Sequence, residues 1–241
     1  MRPIAVTGFG VVSPLGIGEE VFAKGLCDAS RDAFTSTSSL FDMAPYPNAR
    51  VAEVAGFDPA PYVGDKGLRN NDRLTKLFLV AARTALDAAG VKKGGVWQAL
   101  SPDATGVCAS TAYGSLEAIT ELDRVAKLED PRYLNPARFP NTVINSALGY
   151  VSIWEDLRAL NVTVTNGTPG ALDAVFCAGV HLDSLRARAV LVGGGEALSE
   201  ALVLAFHRLE AIGPGGMRLG EGAALALLEP ESLARARGAR I

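Results

Sequence analysis

The segment from Asn161 to Leu182, NVTVTNGTPGALDAVFCAGVHL, constrains the fold more than any other part of the chain. Its first residues are β-branched and alternate in polarity, which favours a short strand, and they end at a turn that contains glycine and proline. The residues after the turn are almost wholly apolar, and a helix that is apolar on every side is expected to be buried. The segment therefore predicts a strand, a tight turn and a buried helix, with Thr168 presented at the turn.

Strand and helix patterns of this kind recur along the chain. Strands are predicted at 4–6, 106–109, 162–165, 189–192 and 223–228, and helices at 19–27, 74–89, 115–127, 145–157, 171–187 and 198–209. This alternation predicts an α/β fold with a mixed, mainly parallel sheet that is covered by helices on both faces. Open sheets of this type bind ligands beyond the carboxyl ends of their strands, where this chain has loops of small residues. The alternative interpretation is that the glycines only permit tight turns and close helix packing.

Composition excludes several classes of protein. The chain has 241 residues and 49% apolar content, which is enough for one sizeable domain or two small ones. A net charge of -3 without a dense run of Lys and Arg gives no electrostatic footprint for nucleic acid or anionic lipid. No segment has the length and unbroken apolar character of a membrane span, and the N-terminus lacks the apolar core of a signal peptide. We therefore expect a cytoplasmic protein.

The residues that could perform catalysis are few. Cys27, Cys108 and Cys177 fit no metal-ligand spacing and are predicted to be reduced, small core residues. The two histidines, His181 and His207, fall inside predicted helices, where packing is the commoner role. Neither a metal nor a cofactor is expected.

Two glycine-rich motifs have structural alternatives. The motif Gly8-Phe9-Gly10 begins like a dinucleotide fingerprint, but Ser13 replaces the third glycine and Pro14 follows it, which argues against a nicotinamide or flavin site. Glu196, after a run of glycines, is predicted to cap the following helix or to pair with a nearby arginine.

Seven segments together carry a family resemblance. They are VTGFGVVSPLG, NDRLTKLFLVAARTALDAAG, STAYGSL, FPNTVINSALGYVSI, NVTVTNGTPGALDAV, AVLVGGGEAL and RLGEGAALALLEPESLARARGARI. In order and approximate spacing they resemble the β-ketoacyl-acyl-carrier-protein synthases, over nearly all of this chain but only the N-terminal half of that family. The resemblance implies the thiolase fold, in which each of two similar halves has a five-stranded sheet between helices. It predicts that residues 1–241 form a single domain like the N-terminal half of a ketosynthase, with the C-terminal half of the family absent.

The resemblance also implies a lost nucleophile. In that family a cysteine at the head of a central helix takes the acyl chain from a carrier protein, while two histidines and a lysine of the second half promote the reaction. The cysteine position falls on Thr168 here. A hydroxyl is a weak nucleophile until a positioned base removes its proton. Catalysis by this chain alone is therefore not expected.

The function implied is that of a chain length factor. Such a protein lacks the cysteine and pairs with an active ketosynthase in type II polyketide, aryl-polyene or fatty-acid-like biosynthesis. The expected partners are a full-length cysteine-bearing ketosynthase, in a heterodimer or with a homodimer as the alternative, and an acyl carrier protein. Two other functions remain open, namely an acyltransferase that uses Thr168 and a module that binds an acyl group or a carrier protein.

The resemblance assigns two further groups of residues. Tyr113, Phe139 and Thr142 are expected at the acyl tunnel or at the partner's pocket, and Arg138, Val162, Thr163, Val164 and Thr165 at the dimer interface. Tyr113 has the alternative role of a core or interface aromatic residue. Arg138 is expected to point to solvent, to pair with a carboxylate or to meet a carrier phosphate. The apolar helix 171–185 needs cover from other helices or from a partner, and this predicts an obligate oligomer.

Overall fold

The computed structural model describes residues 2–28, 30 and 32–241. Its strands are β1 Ile4–Ser13, β2 Gly16–Ile17, β3 Val51–Ala52, β4 Lys92–Lys93, β5 Val96–Trp97, β6 Thr105–Ser110, β7 Asn161–Val164, β8 Ala189–Glu196, β9 Leu219–Gly220 and β10 Gly222–Pro230. Its α-helices are α1 Glu19–Cys27, α2 Ala60–Val63, α3 Arg73–Ala88, α4 Leu116–Leu128, α5 Ser146–Glu155, α6 Gly170–Asp183, α7 Glu200–Arg208 and α8 Glu231–Ala236.

The main sheet confirms the predicted fold class. Its strand order is β2-β1-β10-β8-β6-β7. Strands β8, β6 and β7 are parallel, whereas β10 is antiparallel to both β8 and β1. Among the five main strands, β10 alone therefore runs in the opposite direction, and the sheet is mixed but mainly parallel. The two-residue strand β2 adds a sixth strand at the edge beside β1.

One face of the sheet is completely covered by α3 and α5. Asp72 caps α3 by accepting a hydrogen bond of 3.0 Å from the amide of Thr75. The helix lies so close to β1 that a Cβ atom added at Gly10 would be 2.1 Å from the carbonyl oxygen of Ala81. Along α3 the large apolar side chains are fully buried, and they form the largest core cluster with α5 and the strands.

The other face is covered by α6 over β6 and β8. Alternate residues of the same strands, among them Cys108 and Val192, meet Ala174 and Leu182 of this helix. The opposite side of α6 is open, and Phe176 is 65% exposed. Within the described part of the chain, the predicted all-round burial of this helix is therefore not achieved.

A buried carboxylate ties the two small strands β3 and β9 to the main sheet. Glu221 accepts hydrogen bonds from Arg73 at 2.7 Å and from the amides of Val54 at 2.8 Å and Leu198 at 3.2 Å. Both oxygens of the Glu221 carboxylate accept hydrogen bonds, and the Arg73 guanidinium balances its negative charge. The carboxylate can therefore be buried. It holds the start of α3 and the loop before α7 against the end of the sheet.

The prediction for the cysteines holds for two of them. Cys108 is buried and Cys177 is partly buried, but Cys27 is exposed at the end of α1, where only one side of the helix meets the protein. None of the described helices is long and apolar enough to cross a bilayer.

Candidate functional site

The loops that follow β6 and β7 meet the end of β8 at one open cleft of about 560 Å³. The residues that line it include Ser110, Tyr113, Thr168, Leu172, Gly194 and Glu196. These strands are parallel neighbours, so their carboxyl ends lie at the same edge of the sheet. The small side chains of the two loops and of the end of β8 leave this cleft open.

Thr168 lies in the turn that leads into α6. Its side chain is exposed, and the helix begins two residues later at Gly170. Gly167 adopts a left-handed conformation with φ 64°, and its carbonyl oxygen accepts a hydrogen bond of 3.0 Å from the amide of Gly170. Among the described residues, no side chain hydrogen-bonds to the Thr168 hydroxyl. The turn presents this hydroxyl at the head of the helix, on the cleft.

Tyr113 lines the same cleft from the loop after β6. Its side chain is 42% exposed, and its ring meets the ring of Phe206 edge to face, with the centroids 6.0 Å apart. The tunnel role and the aromatic packing role that the sequence left open are therefore compatible, because one side of the ring packs while the cleft side is open.

Glu196 has neither of the roles predicted for it. The cap of α7 is Ser199, whose side chain accepts a hydrogen bond from Leu202. The Glu196 carboxylate instead accepts a 3.0 Å hydrogen bond from the Thr111 hydroxyl and a second from the amide of Ala112. Burial raises the pKa of Glu196, and these hydrogen bonds oppose the rise. The prediction was wrong because it was based on neighbours along the chain. The Glu196 carboxylate instead accepts hydrogen bonds from the loop after β6, the parallel strand next to β8.

The other titratable candidates lie away from the cleft. Among the described residues that line it, only Tyr113 and Glu196 can titrate. The ring of His207 packs edge to face against Tyr46, with centroids 5.4 Å apart. No group of histidine, cysteine and acidic side chains within the described ranges is arranged to hold a metal ion.

Two cysteines approach each other behind the cleft. Cys108 on β6 and Cys177 on α6 belong to the same core cluster. Burial, together with the neighbouring Cys177 thiol, raises the pKa of Cys108 to about 12. A thiol with so high a pKa is a poor nucleophile at neutral pH.

The residues expected to reach toward a partner lie elsewhere on the surface. Phe139 and Thr142 belong to the 3-10 helical segment Pro136–Thr142, and neither lines the cleft beside Thr168. Phe139 is 67% exposed. Arg138 pairs with Glu121 at 2.5 Å, so of the three alternatives the carboxylate pair describes its position in this chain.

Strand β7 lies at an edge of the main sheet. Val162 and Val164 pack toward α6, and Thr163 projects from the opposite face, as the alternation predicts. The strand begins at Asn161 and ends before Thr165, one residue earlier than expected, because Asn161 already pairs with Val107. In the described chain only β6 pairs with β7, which leaves the outer edge without a partner strand.

Comparisons with known proteins agree with this geometry. Residues 1–234 match the family described as "Beta-ketoacyl synthase, N-terminal domain". The chain is 28% identical to 3-oxoacyl-[acyl-carrier-protein] synthase 2 of Coxiella burnetii, across 100% of its own length and 61% of that protein. It is 33% identical to the tetracenomycin polyketide synthase ketoacyl synthase alpha subunit of Streptomyces glaucescens, across 99% of its own length and 60% of that subunit.

A solved structure shows the same arrangement of elements. The ishigamide ketosynthase/chain length factor superposes with a TM-score of 0.79 and 32% identity, covering 94% of this chain and 62% of that one. The chain thus spans about 60% of the length of the relatives that it matches. Its fold is the thiolase-like fold of ketosynthases, and the chain belongs to the β-ketoacyl synthase family, whose N-terminal domain it matches.

Proposed function

We propose that this chain is a non-catalytic ketosynthase-like subunit of the chain length factor type. In this role it pairs with an active β-ketoacyl synthase in type II polyketide, aryl-polyene or fatty-acid-like biosynthesis and contributes the cleft beside α6 to the binding of an acyl chain. The observation that carries the proposal is the hydroxyl of Thr168 at the cleft end of α6, where the resemblance to the family expects a cysteine.

The surroundings of Thr168 support a silent site. A threonine hydroxyl needs a base within hydrogen-bond reach before it attacks an acyl group. Among the described residues that line the cleft, Glu196 is the only carboxylate; its Oε1 atom accepts hydrogen bonds from Thr111 and Ala112, and neither of its oxygens is hydrogen-bonded to the Thr168 hydroxyl. Within the described residues, the hydroxyl therefore has no hydrogen-bonded base to remove its proton. The apolar lining that remains suits an acyl chain.

The unpaired edge of β7 supports pairing with a second ketosynthase-like chain. An edge strand with free backbone donors and acceptors is a site for strand addition, and the resemblance implies antiparallel pairing at this strand. Exposed Phe139 lies in the segment expected to reach the partner's pocket, and Ile153, at 77% exposure, adds a large apolar side chain on α5, which packs beside β7.

The silent site can be tested by acylation. We would incubate the chain with a decanoyl thioester of N-acetylcysteamine and measure intact mass, using Cys27→Ser as background because Cys27 is an exposed thiol. No adduct is expected on Thr168, whereas Thr168→Cys in the same background should acquire one acyl group. An acyl adduct on Thr168 in the chain that keeps this threonine would overturn the proposal and support the alternative that the chain is an acyltransferase.

Pairing at the outer edge of β7 can be tested by a substitution that keeps the β6–β7 ladder intact. The amides of Val107 and Thr111 donate to the carbonyls of Leu160 and Val164, so in a parallel ladder the backbone of Thr163 faces away from β6. Thr163→Pro would remove an outward donor and should abolish co-purification with a cysteine-bearing ketosynthase that is co-expressed with this chain. The free energy of unfolding should change little.

A matched control for this experiment is Val164→Pro, which removes a donor within the β6–β7 ladder and should destabilise the fold itself. Undiminished co-purification of the Thr163→Pro variant would contradict strand pairing at this edge. If the wild-type chain captured only an acyl carrier protein and no ketosynthase, the binding-module alternative would replace the proposed function.

A further inference from the structure

A single carboxylate oxygen organises the loop after β6. Oε1 of Glu196 accepts hydrogen bonds from the Thr111 hydroxyl and from the amide of Ala112. The Thr111 hydroxyl oxygen in turn accepts a 3.1 Å hydrogen bond from the amide of Gly114. Glu196 therefore holds Thr111 and Ala112 directly, and it holds Gly114 through the Thr111 hydroxyl. We call this carboxylate the anchor of the loop.

The rest of this loop is restrained from other sides. The amide of Thr111 donates to the carbonyl of Val164 at 3.2 Å, which fixes the start of the loop to β7. Gly114 adopts φ 63°, and a Cβ atom at this position would lie 2.6 Å from Cδ1 of Ile144. Glu196 hydrogen-bonds to the segment between these two points, which carries the Tyr113 ring.

Holding an ionised carboxylate at this position has a cost. Burial raises the pKa of Glu196, which means that the surroundings disfavour its charge, and no charged side chain shares the lining of the cleft. Charged acceptors make stronger hydrogen bonds to amides and hydroxyls than neutral acceptors do. A costly buried anion that serves one loop indicates that the position of that loop matters.

We propose that Glu196 is a positioning residue that sets the depth of the acyl cleft by holding the Tyr113 ring in its wall. This inference rests on the proposed function, since it assigns a chain-length-determining role within the same cleft. With the anchor in place, the ring stays against Phe206 and limits the cleft; without it, the ring moves and longer acyl chains fit.

Hydrogen exchange tests the anchor without any ligand. Glu196→Met keeps the length of the side chain and removes both acceptor oxygens, so the amides of Ala112 and Gly114 should exchange at least about tenfold faster. Glu196→Gln retains one acceptor oxygen and should restore most of the protection. The matched control is Glu53→Met, which removes a carboxylate that anchors Ser38 and Ser39 in a different loop and should leave both amides unchanged. Unchanged exchange in Glu196→Met would overturn the inference.

Fatty acid binding tests the consequence for the cleft. For the full chain, we would measure the ratio of dissociation constants for hexanoate and palmitate by competition with a fluorescent fatty acid. Glu196→Met should shift this ratio toward palmitate by about tenfold, a change that simple loss of folded protein cannot produce.

The same measurement in a Tyr113→Ala background shows whether Glu196 acts through the ring. The shift should then vanish, because contacting residues that act as a unit are not additive. A full shift in that background, or no shift in the single variant, would overturn the inference. If the wild-type chain bound neither fatty acid, the proposed acyl function would fail, and hydrogen exchange would still decide whether Glu196 holds the loop.

Discussion

Helices α3 and α6 both carry large apolar side chains, but the side chains of α3 are buried and many of those of α6 are exposed. Phe78 in α3 is 0% exposed, whereas Phe176 in α6 is 65% exposed. Helix α3 lies between the sheet on one side and α5 and α2 on the other, so every face has a neighbour. Within the described residues, the main neighbours of α6 are the strands β6, β7, β8 and β10. The comparison teaches that an apolar helical sequence predicts burial but does not say which element supplies the cover.

The open side of α6 is part of a larger apolar surface. Leu172, Val175, Phe176 and Val180 of α6 are all more than 40% exposed. Val6 of β1, at 51% exposure, lies opposite Leu228 on the same side of the sheet. Contiguous apolar surfaces of this kind mark sites of association. Substitutions in the buried core around α3 should therefore have other effects than substitutions on the open surface of α6.

The largest effect is expected in the core. Phe78→Ala should lower the free energy of unfolding by about 3–5 kcal/mol, because it leaves a cavity between α3 and the sheet. Phe176→Ala, the matched control in α6, should change the free energy by less than about 0.5 kcal/mol in the isolated chain. Urea denaturation measures both. Similar losses would mean that α6 is covered in solution by this chain itself.

The second prediction concerns association. Phe176→Lys places a charge at the centre of the apolar surface, so it should weaken self-association or partner binding by at least about thirtyfold, as loss of a central apolar contact does. Lys127→Ala, on the polar surface of α4, is a control that should leave association unchanged. Analytical ultracentrifugation measures the effect. A wild-type chain that stays monomeric at high concentration would contradict the predicted obligate oligomer.

The third prediction concerns the side of α6 that packs on the sheet and shields Cys108. Because burial raises the pKa of Cys108 to about 12, little of this thiol is ionised at mildly alkaline pH. Iodoacetamide should therefore label the exposed Cys27 first, and Cys108 only after unfolding. Peptide mass spectrometry follows each site. Rapid labelling of Cys108 in the folded protein would mean that α6 separates readily from β6.

The smallest effect is expected at Glu196. The folded protein raises the pKa of this carboxyl above its ordinary value of 4.5, so its ionisation destabilises the fold as pH rises through the raised pKa. Glu196→Gln removes this dependence and should be more stable than wild type at neutral pH by less than about 1 kcal/mol, with the difference shrinking toward acid pH. Thermal unfolding across pH measures it. A difference that grew on acidification would contradict the direction of the shift.

The predicted elements agree with the structure mainly where the pattern is local. The start of α3 is such a local feature, because the Asp72 carboxylate accepts a hydrogen bond from the amide of Thr75 in the first turn. The start of β7 was missed by one residue because Asn161 has low strand propensity, and the pairing with β6 overrides it. The resemblance placed Thr168 at the head of α6, but only the strand order brought Tyr113 and Glu196 to the same cleft.

By itself, the sequence determined the order of strands and helices and the turn that presents Thr168, since short-range patterns of apolar residues, glycine and proline decide both. Tertiary structure alone decided what each side chain meets. Thr111 and Glu196 are 85 positions apart and become partners because β6 and β8 are parallel neighbours. It also decided that α3 is covered and α6 is open, because burial depends on which elements pack around a helix and not on the helix itself.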